Sequence, residues 1–130
     1  MLVADDQIAG YYTLSSYGIR SDDLAQEQIK QLGLPRYNVI GATLLGRLAV
    51  DGKFQGKGIG QILLLDAMKK SLEGSRAVAA STGLVVEAKN DKAHGFYRKF
   101  GFFAPFPDTP MRLFMRMETI SALLDGLLQQ

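Results

Sequence analysis

The spacing of apolar and polar positions divides the 130-residue chain into alternating strands and helices. Runs rich in Val, Ile, Leu, Thr and Tyr predict strands, whereas apolar residues three and four positions apart predict helices. The predicted strands cover residues 2–4, 8–19, 39–51, 83–88, 102–103 and 111–117. The predicted helices cover residues 22–32, 59–73 and 91–100, and a last turn runs from 119 to 124. This order predicts one mixed α/β domain over residues 1–130.

Capping and breaking residues set the expected boundaries. A Ser or Thr before a helix satisfies its free amides, and Gly or Pro after a helix ends it. The residues expected to cap or end helices are Ser21, Gly33, Pro35, Gly74 and Thr119. The strand 39–51 is apolar almost throughout, which predicts burial on both of its faces.

A glycine-rich segment, Gln55-Gly56-Lys57-Gly58-Ile59-Gly60, separates the strand 39–51 from the helix that follows. Glycine lets backbone amides approach a ligand closely, and the free amides of a first helical turn attract anions. The segment therefore predicts a phosphate or pyrophosphate site, to which Lys57 adds a positive charge. A tight turn without a ligand is the alternative. The spacing excludes a P-loop and, because position 61 is Gln61, also the dinucleotide fingerprint.

The composition narrows the chemistry further. The chain has no cysteine, which excludes disulfides and a cysteine nucleophile, and its one histidine, His94, is weak evidence for catalysis or a metal. No metal site is expected. The net charge of +2 neither demands nor excludes a nucleic-acid partner. No apolar run reaches the ~20 residues that span a bilayer, so no membrane partner is expected, and the cytoplasm is the expected location.

The glycine segment resembles the acetyl-CoA signature of GNAT N-acetyltransferases, Gln/Arg-x-x-Gly-x-Gly/Ala, and has the same strand before it and helix after it. The segment Phe96-Tyr97-Arg98-Lys99-Phe100-Gly101-Phe102 resembles the second CoA-contacting region of that family. Within the superfamily, the chain looks most like the acetyltransferase toxins of type II toxin–antitoxin systems. The matching stretches are Gly10 to Ser15, Leu34 to Tyr37, Gly46 to Asp51, Gly83 to Val86 and Phe96-Tyr97.

The resemblance implies a GNAT fold, with a mixed and mostly antiparallel central sheet and flanking helices. It implies acetyl-CoA as cosubstrate and Tyr97 as the general acid that protonates the CoA thiolate. The residues implied to bind the coenzyme are Gln55, Gly56, Lys57, Gly58, Ile59 and Gly60, the backbone groups of Leu48, Ala49 and Val50, and Asn90. Family members usually begin with a further strand and one or two helices that wall the acceptor site. This chain is expected to lack them.

The resemblance also implies the acceptor and the partners. Toxins of this kind acetylate the α-amino group of aminoacyl-tRNA and so stop translation. They usually form homodimers, and a ribbon-helix-helix antitoxin neutralises each of them. Two alternatives remain open. One is acetylation of a small-molecule amine or a protein N-terminus, and the other is a non-catalytic module that only binds CoA or an antitoxin.

Ordinary structural roles compete with several of these assignments. Tyr97 also fits a buried helix face together with Phe96, and Asn90 also fits a simple helix cap. Arg47 interrupts an apolar strand and is a candidate contact for the acceptor or for a phosphate. The basic residues that could meet tRNA phosphates, or could be ordinary solvated side chains, are Lys69, Lys70, Arg76, Lys89, Lys92, Arg98 and Lys99.

The absence of cysteine predicts direct transfer of the acetyl group, for which the attacking amine must be uncharged. A free lysine amine, with a pKa of ~10.4, is neutral about once in a thousand at pH ~7.4, whereas an α-amino group with a pKa of ~7.7 is neutral about a third of the time. The sequence shows no obvious carboxylate or histidine base. It therefore suits an α-amine better than a lysine side chain.

Overall fold

The structure, a computed structural model, describes residues 2–4, 7–24, 26–32, 39–78 and 81–128. The strands are β1 (Leu2–Ala4), β2 (Gln7–Arg20), β3 (Val39–Val50), β4 (Gly83–Glu87) and β5 (Arg112–Arg116). The helices are α1 (Gln26–Leu32), α2 (Ile59–Val78), α3 (Asp91–Lys99) and α4 (Met117–Leu128). The mixed α/β class predicted from the sequence is confirmed.

The five strands form one sheet in the order β1-β2-β3-β4-β5. All neighbouring strands are antiparallel except β3 and β4, which run parallel. A parallel pair needs a crossover connection, and α2 provides it. The sheet is therefore mixed and mostly antiparallel, as the resemblance implied.

The parallel pairing of β3 with β4 is short. It joins Thr43–Leu45 to Leu84–Val86 and then stops, although β3 continues to Val50 beside β2. The β2–β3 register shifts at the same point, where Gly46 is an extra residue between Leu45 and Arg47. Such a bulge bends and twists a strand. Beyond Leu45, β3 and β4 separate and leave an opening in the sheet that we call the strand gap.

The two faces of the sheet differ in what covers them. On one face, which we call the helical face, α2, α3 and α4 pack against Leu84 and Val86 of β4 and their neighbours. On the other face, which we call the open face, Val85 and Phe114 pack with Leu24 and Phe106. Alternate residues of one strand lie on opposite faces, so every residue of β4 can be assigned to one of them.

Three predicted helix boundaries are wrong. Residues Ser21–Asp23 form a single 3-10 turn, and α1 begins only at Gln26. Gly74 lies inside α2, which continues to Val78, because packing of α2 on the sheet outweighs the ~1 kcal/mol that an internal glycine costs. Helix α4 begins at Met117, directly after β5, so Thr119 lies within the helix and does not begin it.

Two predictions about strands are also corrected. Residues 102–103 do not form a strand, since only Phe103 makes an isolated bridge, to Phe114. The prediction that β3 is buried on both faces is also wrong, since Val39 is 58% exposed and Gly46 and Arg47 are exposed as well. Residues 5–6, for which the sequence predicts a tight turn, Ala25 of the predicted first helix and residues 33–37 lie outside the described residues. Within the described ranges, no helix is long and apolar enough to cross a membrane.

Two glycines test the packing of this sheet in opposite directions. A Cβ atom at Gly83 would overlap the Phe114 ring and lie 2.5 Å from the carbonyl oxygen of Met115, so Gly83→Ala should destabilise the fold by about 1–3 kcal/mol. A Cβ atom at Gly74 meets nothing within 4 Å, so Gly74→Ala should stabilise the fold by about 0.5–1 kcal/mol. Urea unfolding of both variants measures the two free energies, and equal stability of the two would contradict this packing.

Candidate active site

The glycine loop has the backbone geometry of an anion site. Gly56 and Gly58 have φ angles of 80° and 76°, which side-chain-bearing residues rarely adopt, and a Cβ at either would meet nothing within 4 Å. The amide of Ile62 donates to the carbonyl oxygen of Gly58 at 3.2 Å, so the first turn of α2 follows the loop directly. That turn contains no acidic residue, and its free amides and helix dipole favour an anion.

Short contacts fix the loop to the end of β3. The Asp51 carboxylate accepts a hydrogen bond from the Lys53 amide at 2.9 Å, and the Gln55 side-chain amide donates to the Val50 carbonyl at 3.4 Å. Phe54 is buried, and the Lys57 ammonium group lies 5.5 Å from its ring centroid. Phe54 is a residue that the motif analysis missed, and its position as the one large apolar residue between 51 and 58 was the available signal.

The hydrogen-bond alternation of β3 determines which backbone groups face the strand gap. The Asp51 amide donates to the Ala9 carbonyl of β2 at 2.8 Å. Because residues of an antiparallel strand alternate in the direction of their amide and carbonyl groups, those of Ala49 also face β2. Those of Leu48 and Val50 face the other way, towards the gap. Leu48 and Val50 are therefore better placed than Ala49 to offer backbone groups to a ligand.

Helix α3 supplies Tyr97. The Asn90 side chain accepts a hydrogen bond from the Ala93 amide at 2.8 Å and so caps the helix, the structural role weighed for it above. The Tyr97 ring is buried between Phe96 and Phe102, with ring centroids 5.4 and 5.7 Å away. Burial raises the pKa of the Tyr97 hydroxyl above its ordinary value of 10.0. The Tyr97 hydroxyl has no hydrogen-bond partner among the described residues. Every fully buried polar side-chain atom in those residues does have a partner, so the hydroxyl itself must still contact solvent.

The loop, β3 and α3 meet at Gly60. A Cβ atom placed on Gly60 would lie 3.8 Å from the Phe96 ring and 3.8 Å from the Val50 side chain. Phe96 precedes Tyr97 on α3, and Val50 ends the strand whose amides face the gap. The predicted phosphate loop, the end of β3 and the helix that carries the predicted acid thus meet at Gly60.

The residues present fit acetyl-CoA. The open positive-φ glycines and the first turn of α2 suit the pyrophosphate, and unpaired strand amides suit the amide-bearing pantetheine arm. A buried phenol suits protonation of a thiolate. Together with the split sheet, these features define the class of acyl-CoA-dependent transferases.

Comparison with known proteins agrees with this class. The family model described as "Acetyltransferase (GNAT) domain" matches residues 1–103. The tRNA-acetylating toxin of Mycobacterium tuberculosis is 31% identical over 120 residues, which are 92% of this chain and 69% of that toxin. This chain belongs to the GNAT acetyltransferase family.

Solved structures of toxins are similar over most of the chain. AtaT complexed with acetyl-methionyl-tRNAfMet matches with a TM-score of 0.79 and 36% identity, covering 94% of this chain and 70% of that one. A Tyr-to-Phe mutant of AtaT, bound to the C-terminus of the antitoxin AtaR and to acetyl-CoA, matches with a TM-score of 0.73 and 33% identity over 92% of this chain and 67% of that one. This chain thus spans about two thirds of the length of these relatives.

The remaining candidate residues lie around this centre. The His94 ring nitrogen lies 3.3 Å from the Pro110 carbonyl oxygen and the side chain is half-buried, although the sequence favours a solvated helix residue at this position. Arg47 is exposed, which removes the cost of burying its charge. Among the described residues, no group of three or more His, Asp or Glu side chains is arranged to hold a metal ion.

The predicted basic surface is only partly free. Lys70 lies 3.6 Å from the Asp66 carboxylate and over the Tyr12 ring, and the hydrogen bond from Tyr12 lowers the pKa of Asp66. Lys70 is exposed, as are Lys69, Lys89, Lys92, Arg98 and Lys99, whereas the side chain of Arg76 lies outside the described part. Three of these, Lys92, Arg98 and Lys99, are on α3, the helix that carries Tyr97.

The anion site is tested by adding a carboxylate in its centre. Gly60 has an ordinary φ, and a Cβ atom there makes only ordinary van der Waals contacts, so Gly60→Asp should fold but place negative charge against the phosphates and weaken acetyl-CoA binding by roughly 10-fold or more. Gly52→Asp makes the same charge change in open space before the loop and is the matched control. Calorimetry should show a large change for the first variant only, and equal affinities would refute the site.

Proposed function

We propose that the chain is an acetyl-CoA-dependent N-acetyltransferase that acetylates the α-amino group of aminoacyl-tRNA. The observation that carries the proposal is the meeting of the glycine loop, the β3 edge and the Tyr97 helix at Gly60. The similarity to tRNA-acetylating toxins, at 31–36% identity over more than nine tenths of this chain, supports aminoacyl-tRNA as the acceptor.

The donor is acetyl-CoA, which supplies an activated acetyl thioester. The amides of residues 56–60 and the Lys57 ammonium group bind its pyrophosphate, because both present positive charge at the start of α2. The amides of Leu48 and Val50 hydrogen-bond the pantetheine arm and the thioester oxygen, where negative charge develops. Asn90 follows β4 and caps α3, and its second proposed role is to contact the pantetheine arm.

Tyr97 supplies the proton for the leaving group. When the acceptor nitrogen forms its bond to the acetyl carbon, the carbon–sulfur bond breaks and its electron pair goes to sulfur. The Tyr97 hydroxyl donates its proton to that sulfur, the acylated nitrogen releases its extra proton to water, and Tyr97 recovers a proton from solvent. The buried ring holds the hydroxyl in place, and its raised pKa keeps it protonated before the reaction.

The acceptor is an α-amine attached to a polyanion. The proposal places tRNA phosphates against the exposed cations of α3 and against Arg47, which alternates with Leu48 and so lies on the open face beside the gap. A homodimer, a ribbon-helix-helix antitoxin and a cytoplasmic location belong to the same proposal. Their support is the AtaR-bound relative and the resemblance to the toxins.

Replacement of the Tyr97 hydroxyl separates catalysis from packing. Tyr97→Phe keeps the ring between Phe96 and Phe102, so the melting temperature and the affinity for acetyl-CoA should stay nearly constant. Turnover should fall by roughly 10²–10⁴-fold if the hydroxyl is the general acid. In the wild type, kcat should show no decline from Tyr97 deprotonation below pH 10.0, since burial shifts that pKa upwards. A variant with kcat within about twofold of the wild type would return Tyr97 to a packing role.

The acceptor is tested by salt and by charge reversal. Lys99→Glu should raise the KM for aminoacyl-tRNA and reduce the slope of log KM against log salt by about 1 for the lost phosphate contact. Lys92→Glu should behave in the same way, and Lys30→Glu on the exposed surface of α1 is the control of equal charge. Labelled acetyl-CoA and purified aminoacyl-tRNA provide the assay. Label on a small amine but never on tRNA would overturn the acceptor and leave the acetyltransferase assignment standing.

A further inference from the structure

An ion pair stands at the end of β4. Arg112 of β5 contacts one oxygen of Glu87, Oε1, with two nitrogens: Nε donates at 3.0 Å and Nη2 lies at 2.9 Å. Among the described residues the second carboxylate oxygen, Oε2, has no hydrogen-bond partner. The Glu87 side chain is 56% exposed and that of Arg112 is 22% exposed. One oxygen is thus held by the protein while the other faces solvent.

The arginine is held more firmly than a surface ion pair requires. Its guanidinium carbon lies 5.7 Å from the centroid of the Tyr17 ring and 5.6 Å from that of the Phe106 ring. Cation–π contacts on two rings, added to the ion pair, restrict the guanidinium group to one place. A carboxylate attached to a fixed guanidinium group is itself fixed in orientation.

The position of Glu87 relates this pair to the strand gap. Val86 is the last residue of β4 that pairs with β3, and Glu87 follows it directly, as the first exposed residue of a strand that is otherwise buried. Glu87 shares its face with Val85, which is the open face, whereas Tyr97 packs on the helical face. Glu87 therefore lies beside the point where the gap begins, on the opposite side of the sheet from Tyr97.

We propose that Glu87 binds the amine of the acceptor, with Oε2 accepting a hydrogen bond from the nitrogen, and that Arg112 is the positioning residue that aims this oxygen. The inference rests on the proposed acetyltransferase function and names the group that recognises its substrate. An amine is the chemistry that a fixed, half-solvated carboxylate recognises, since both its neutral and its protonated forms donate hydrogen bonds.

The two faces then have complementary tasks. The nitrogen approaches from the open face, where Glu87 orients it and stabilises the positive charge that nitrogen gains as its bond to carbon forms. The sulfur leaves on the side of Tyr97, which donates the proton to it. The proton lost by the nitrogen passes to water, to which Glu87 is open.

The test compares steady-state kinetics for acceptor and donor separately. Glu87→Gln preserves the shape but removes the charge, so the KM for the acceptor should rise roughly 10- to 100-fold while the dissociation constant for acetyl-CoA stays unchanged. Glu87→Asp restores a carboxylate and should recover part of the loss. Arg112→Met keeps the Glu87 carboxylate but removes the guanidinium group that orients it, so this variant should also raise the acceptor KM.

Glu118→Gln is the matched control, since it breaks another exposed pair, with Arg116 at 3.3 Å, at the start of α4. Acceptor KM and kcat within twofold of the wild type in Glu87→Gln would overturn the inference, as would equal losses in Glu87→Gln and Glu87→Asp. If the wild type acetylates only a small amine, the tRNA acceptor is rejected. The KM of each Glu87 variant is then measured for that small amine instead. If the wild type acetylates no amine, the proposed function fails and this inference fails with it.

Discussion

Strands β3 and β4 share backbone pairing at only three residue pairs, and the whole candidate site depends on that limit. A longer ladder would place the amides of Leu48 and Val50 in hydrogen bonds with β4 and leave nothing for a ligand. The bulge at Gly46 coincides with the last paired residue of β3, and a bulge adds the bend and twist that carry one strand away from the next. The gap therefore begins where β3 carries one extra residue.

An opening of this kind leaves backbone groups unpaired, which is costly unless water or a ligand satisfies them. The fold confines that cost to one end of the sheet. Helix α2 packs against residues of both halves, Leu45 on one side and Leu84 on the other, so the halves stay joined where they are paired. The start of the same helix lies at the open end, beside Val50. Helix α2 thus holds the two halves of the sheet together. The positive end of its dipole faces the gap, where an extended, amide-bearing ligand would complete the sheet.

Local signals in the sequence were sufficient for the parts of the site that are local. The glycine loop is contiguous, its φ angles need glycine at 56 and 58, and the apolar spacing of α3 placed Tyr97 on a buried face. What the sequence did not show depends on contacts between distant residues. Glu87 and Arg112 are 25 positions apart, and only the antiparallel register of β4 and β5 makes them partners. The prediction that Gly74 ends a helix was wrong for the same reason. The packing that extends α2 past Gly74 involves distant residues and cannot be inferred from the neighbouring sequence.

The environments of Tyr97 and Glu87 suit the different demands of an acid and an amine-binding group. A proton donor to a thiolate must remain protonated until the sulfur leaves, and desolvation of a phenol favours its neutral form. A carboxylate that receives an amine must instead be oriented and accessible, and Glu87 has both a fixed cation and solvent beside it. A β-strand places successive side chains on opposite faces, so a sheet that opens between two strands can present different environments on its two sides. In this chain three helices cover one face of the sheet, while Arg112 and the exposed Glu87 lie on the other, so Tyr97 and Glu87 differ in environment because they occupy different faces.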